Sequence, residues 1–65
     1  MTEYRAIITF PNAKDQATLD CDGITMFTDI LYGIEYYHPI AAIYCYRKEK
    51  RAYVPMGIFK GGRIK

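Results

Sequence analysis

The spacing of apolar residues changes period twice along this chain, which limits the folds open to it. From Tyr4 to Cys21 the pattern alternates. Tyr4, Ala6, Ile8 and Phe10 share one face of a first run, opposite Glu3, Arg5, Ile7 and Thr9. Ala17, Leu19 and Cys21 share one face of a second, opposite Gln16, Thr18 and Asp20. Strict alternation marks a half-buried strand, because successive side chains leave opposite sides of the pleat. Between the runs, Pro11-Asn12-Ala13-Lys14-Asp15 supplies turn chemistry: proline fixes its own φ and asparagine tolerates left-handed backbone. The expectation is an antiparallel hairpin.

At Asp22-Gly23 the period lengthens to about 3.6 residues. Ile24, Phe27, Ile30, Leu31 and Ile34, with Tyr37 at the edge, make one stripe, so a helix is expected over 24–37. Asp22 or Thr25 can cap its first turn. His38-Pro39 ends it, since the residue before a proline avoids the α region. Gly33 costs about 1 kcal/mol relative to alanine inside a helix. It falls on the face away from the core, which invites close approach of another backbone. Tyr32 and Tyr36, four residues apart, share the outer face and form a dimer seam with Gly33, stack on each other, or contact a ligand.

Alternation then returns in Ile40–Tyr46 and Ala52–Ile58, around the charged tip Arg47-Lys48-Glu49-Lys50-Arg51. With the tip centred on Glu49, Tyr46 faces Tyr53 across a second hairpin. Ala41, Ile43, Cys45, Val54 and Met56 then look to the core, and Tyr44, Tyr46, Tyr53 and Pro55 look outward. Pro55 cannot donate to a ladder, so its strand is an edge or bulges there, and Gly57 weakens it further. Lys60-Gly61-Gly62-Arg63-Ile64-Lys65 reads as a flexible basic tail. The expected architecture is α+β, a ββαββ domain over residues 1–59. Its sheet is four-stranded and mainly antiparallel, with one helix packed on one face.

A chain of 65 residues hides only about 60% of the surface its unfolded form exposes. Domains of this size commonly gain stability by association. Aromatic content of 15%, with seven tyrosines, exceeds what one helix and a small sheet can cover, so a homodimer is expected. Cys21 and Cys45 both fall at core positions and read as reduced thiols in a cytoplasmic protein without a signal peptide. One histidine and no paired cysteine motif make a metal site unexpected. No apolar run approaches the roughly 18 residues that cross a bilayer.

Catalysis is not expected either, and no cofactor is implied. The chain has no serine, and His38 sits at a helix end with no cysteine partner nearby in sequence. Asp20 and Asp22 end a strand and serve turn and cap roles. No phosphate-binding or dinucleotide fingerprint is present.

What remains is binding. Residues 1–46 hold two cations against six anions, and residues 47–65 hold seven cations against Glu49 alone. The C-terminal third therefore suits an acidic partner. Tyr44, Tyr46 and Tyr53, rimmed by Arg47, Lys48, Lys50 and Arg51, form the candidate surface. Tyrosine and arginine are enriched where protein interfaces concentrate their energy. The alternative ligand is a nucleotide or nucleic acid, its bases stacked on the rings and its phosphates met by Lys60, Arg63 and Lys65.

In length, in crowding of tyrosine, and in its hairpin–helix–hairpin order (Tyr4–Cys21, Ile24–Tyr37, Ile40–Ile58), the chain resembles the short accessory proteins of phages and mobile elements. That resemblance implies action without chemistry in the host cytoplasm: inhibition by masking a host protein, or sequestration of a signalling nucleotide.

Overall fold

The computed structural model describes residues 3–12 and 14–65; Ala13, in the expected first turn, lies outside the described residues. Strands β1 (Tyr4–Thr9) and β2 (Gln16–Cys21) precede helix α1 (Ile24–Tyr37). Strands β3 (Ala42–Glu49), β4 (Ala52–Lys60) and β5 (Arg63–Ile64) follow it. They form one sheet in the order β2-β1-β3-β4-β5, antiparallel at every pairing. The α+β class and single helix agree with the alternating and helical periods. The strand count does not: a fifth strand makes the order ββαβββ.

The core lies between α1 and one face of the sheet. Ala6 and Ile8 from β1, Cys21 from β2, Ile43 and Cys45 from β3 and Phe59 from β4 close around Phe27 and Leu31. Burial of each large side chain contributes about 1.5–3 kcal/mol. Tyr4 stacks on Phe27 with ring centroids 5.4 Å apart. The helical stripe is narrower than its spacing suggests, because Ile24, Ile30 and Tyr37 stay exposed. Gly23, not Asp22 or Thr25, takes the N-cap position, without a side-chain cap hydrogen bond, and the Cys21 thiol donates to its carbonyl at 3.7 Å. At the other end His38 caps as expected, its N–H donating to the Ile34 carbonyl at 2.8 Å.

The second half of the chain departs from its expected register in two places. Glu49 pairs with Ala52, so Lys50-Arg51 is a two-residue turn, with Lys50 at φ 57°. Tyr53 therefore faces Lys48, and Tyr46 faces Pro55. A shift of two residues moves partners but leaves each side chain on its original face. The second departure does change faces. Tyr46 pairs with Pro55 and Cys45 with Gly57, leaving Met56 as an extra residue in a bulge where Gly57 takes φ 140°. One extra residue inverts the alternation beyond it. Phe59 thus enters the core, and Ile58 is turned out.

Residues 60–65 are not a free tail. Gly61 and Gly62 take φ 61° and 78°, the paired positive values a two-residue hairpin turn requires. Arg63 then returns opposite Lys60, and Ile64 opposite Phe59. The Lys65 N–H donates to the Ile58 carbonyl at 2.9 Å. The helix grips this turn. The Glu35 carboxylate accepts from the N–H groups of Gly61 (2.9 Å) and Gly62 (3.3 Å), and the Tyr32 hydroxyl donates to the Gly62 carbonyl (3.2 Å). Tyr32 also meets Phe59 edge-on at 5.5 Å, whereas Tyr36 meets Tyr37 at 5.2 Å. Of the alternatives for Tyr32 and Tyr36, stacking on each other is not the one realised, since each ring meets another partner.

Candidate functional site: the open face of the sheet

Among the described residues no element covers the face of the sheet opposite α1, and the pairing register maps it row by row. Asp20, Arg5, Tyr46 and Pro55 lie side by side across β2, β1, β3 and β4. The next row is Thr18, Ile7, Tyr44 and Ile58. Gln16, Thr9 and Ala42 follow on one side, and the pair Lys48–Tyr53 lies on the other, toward the tip. The centre is apolar and open: Tyr44 is 39% and Ile58 44% exposed.

Arg5 organises the flank of this surface. Its guanidinium makes a paired contact with the Asp20 carboxylate, Nε to Oδ1 at 2.8 Å and Nη2 to Oδ2 at 3.1 Å. It also lies 4.2 Å from the Tyr53 ring centroid, reaching across β3 from β1 to β4. A cation over a ring face is attracted by the ring's quadrupole. The Asp20 hydrogen bond raises the Arg5 pKa, and the same bond lowers that of Asp20. The Lys48 Nζ stands 6.0 Å from the centroid of the same Tyr53 ring.

The structure brings Tyr44, Tyr46, Tyr53 and Lys48 together on this face. It does not bring Arg47, which pairs opposite Tyr4 on the helix side and contacts Glu49 at 3.1 Å. Lys50 and Arg51 occupy the exposed tip turn, while Lys60 and Arg63 face each other across the C-terminal hairpin. Sequence reasoning missed Arg5, Ile7 and Ile58. The first two belong because β1 is central in the sheet, a long-range pairing with no local signal. Ile58 belongs because of the bulge.

Other groups offer less chemistry. Cys21 and Cys45 are free and buried. Burial pushes the Cys45 thiol up to about 11, partly offset by a hydrogen bond with the Phe59 backbone, so it is neutral at pH 7. His38 meets Phe10 edge-on at 5.0 Å, in a shallow cleft of about 480 Å³ with Tyr37 and Ile40. Among the described residues no cluster of three metal-ligating side chains exists. No helix among the described residues is long and apolar enough to cross a membrane. Family models, curated proteins and solved structures give no match to this chain.

Proposed function

We propose that the chain is a non-catalytic binding protein whose open sheet face seats on a protein partner and masks it stoichiometrically. The observation that carries this reading is the unbroken apolar cross-strand row Ile7–Tyr44–Ile58, half-buried at Ile7 and exposed at Tyr44 and Ile58, central on a sheet whose other side is already covered. Contiguous exposed apolar surface of this kind is characteristic of contact sites. The surrounding groups favour a protein over a nucleic acid. Base stacking needs free ring faces, and Arg5 already lies over that of Tyr53. Phosphate binding needs unpaired cations, and Arg5 is engaged by Asp20. Tyr44 has aliphatic neighbours in its row rather than basic ones. The cationic rim of Lys48, Lys50 and Arg51 suits an acidic border on the partner.

A photo-crosslinking residue in place of Tyr44, with the same residue at Tyr36 as control, tests the reading in producing cells. The expected result is one protein adduct specific to position 44. That protein, once purified, should bind the wild-type chain in fixed ratio and lose about 2 kcal/mol of affinity on Ile58→Asp. Adducts to nucleic acid, or equal adducts at both positions, would overturn it.

A further inference from the structure

The two edges of the sheet are protected very differently. On the β4 side, Pro55 has no N–H to offer, the Met56–Gly57 bulge breaks the line, and β5 covers Phe59 and Lys60. That side also carries Lys48, Lys50, Arg51, Lys60, Arg63 and Lys65, whose like charge opposes contact with a second copy. The β2 edge, Gln16–Cys21, has no proline, lysine, arginine or bulge. Its single charge, Asp20, is bonded to Arg5 of the neighbouring strand. Natural sheets block their free edges with such devices; β2 has none.

The helix beside that edge is also unpartnered. Met26, Ile30, Gly33 and Tyr37 recur at helical spacing on one flank. Met26 and Ile30 border β2, lining a groove of about 370 Å³ with Asp20, Cys21, Asp22 and Gly23. Met26 is 63% exposed. Apart from its chain neighbours and the adjoining helix backbone, no described atom comes within 4 Å of where a Cβ on Gly33 would stand. The opposite flank, by contrast, is tied to the Gly61–Gly62 turn through Tyr32 and Glu35.

We infer that β2 pairs antiparallel with β2 of a second copy, joining two sheets into one and setting the two Met26–Ile30–Gly33 flanks on the same side of the seam. Charge and register both suit self-pairing. Opposed residues must point the same way, so the two-fold axis passes through Thr18 or Leu19. With Thr18 opposite itself, Asp20 meets Gln16 and Ala17 meets Leu19. With Leu19 opposite itself, Asp20 meets Thr18 and Ala17 meets Cys21. In neither does carboxylate face carboxylate, and the edge as a whole is neutral once Arg5 is counted. A standard interface takes about 800 Å² per partner, roughly a sixth of this chain's 4804 Å² surface. Strand pairing alone is narrow, and the apolar helix flank widens it. This seam leaves the open face uncovered and stands whether or not that face binds a partner.

Sedimentation equilibrium of the full chain over a micromolar range is the test, with thermal melts confirming that each variant folds. Wild type should dimerise. Thr18→Lys and Met26→Glu, at exposed positions of strand and helix, should each weaken association by at least about tenfold. Tyr44→Asp, on the open face, should leave it unchanged. A wild type that stays monomeric, a dimer indifferent to both edge variants, or one dissolved by Tyr44→Asp would each overturn the inference.

Discussion

The two faces of this sheet are built from the same strands, residue by alternate residue, yet they meet opposite fates. In β3, Ile43 and Cys45 are buried under α1, while Tyr44 between them stands open. In β1, Ala6 and Ile8 lie in the core, while Arg5 and Ile7 look outward. Pleating separates the surface that supplies folding energy from the surface left for recognition. A small domain gains from this arrangement, because neighbouring residues in one strand can serve stability and contact independently. The comparison is useful where it can be made to fail: a substitution on one face should leave the other face's property intact.

The largest expected effect is on the covered face. Phe59 is buried at the contact with α1, edge-on to Tyr32. Phe59→Ala should cost about 3–5 kcal/mol by urea denaturation. A loss under about 1 kcal/mol would mean that the helix holds to the sheet without this ring. Next comes the bulge that puts Phe59 there. A Cβ on Gly57 would stand 2.5 Å from the Lys65 carbonyl oxygen and 2.6 Å from its carbon, at φ 140°. Backbone atoms cannot swing aside as a side chain can, so Gly57→Ala should cost about 1–3 kcal/mol. Amide exchange at Lys65 should quicken in the same variant. Unchanged exchange would show that β5 does not depend on the bulge.

A smaller effect is expected at the clamp between helix and C-terminal turn. Glu35→Ala removes the acceptor of two N–H groups, at 2.9 and 3.3 Å. Hydrogen bonds to charged groups count for more than neutral ones, but this site is partly solvated, so about 1 kcal/mol is expected. The loss should concentrate in residues 60–65, read as faster exchange at Gly61 and Gly62. Substitution on the open face sharpens the contrast further. Tyr44→Ala should change stability by less than about 1 kcal/mol, the scale of a cross-strand pair. The same change should abolish most partner binding. A destabilisation equal to that of Phe59→Ala would break the distinction between the faces.

The parts legible from sequence were those specified by local period. The β1–β2 hairpin alternates without interruption, and the helix runs Ile24–Tyr37 as its stripe and His38-Pro39 require. Three features escaped for physical reasons. Lys50 adopts a left-handed φ that lysine seldom takes, which moved the tip by one residue on each strand. The Met56 bulge reverses parity, which alternation alone does not reveal, and so puts Phe59 in the core and Ile58 outside it. Gly61-Gly62 reads equally as a flexible link or a tight turn; the choice depends on Glu35, far away in sequence. Tyr44, Tyr46 and Tyr53 could be placed on one face because the tip shift was even. Arg5 could not be joined to them, since nothing local reveals that β1 pairs with β3.

The smallest expected effect concerns acid and tests whether the open face contributes to folding at all. Arg5 hydrogen-bonds Asp20 and holds its pKa below the ordinary carboxylate value. A carboxyl whose folded pKa is depressed binds fewer protons in the native state than in the unfolded chain. Its contribution is therefore complete above the unfolded value, near pH 4, and is lost as pH falls through that value toward the folded one. Asp20→Asn should be slightly less stable than wild type at pH 7 and should lose less on acidification, so the two urea midpoints converge at low pH. The gap should also narrow in high salt, because the pair is solvent-exposed. Parallel pH profiles would show that the Arg5–Asp20 contact only arranges the recognition face. Stability would then reside wholly on the helix side.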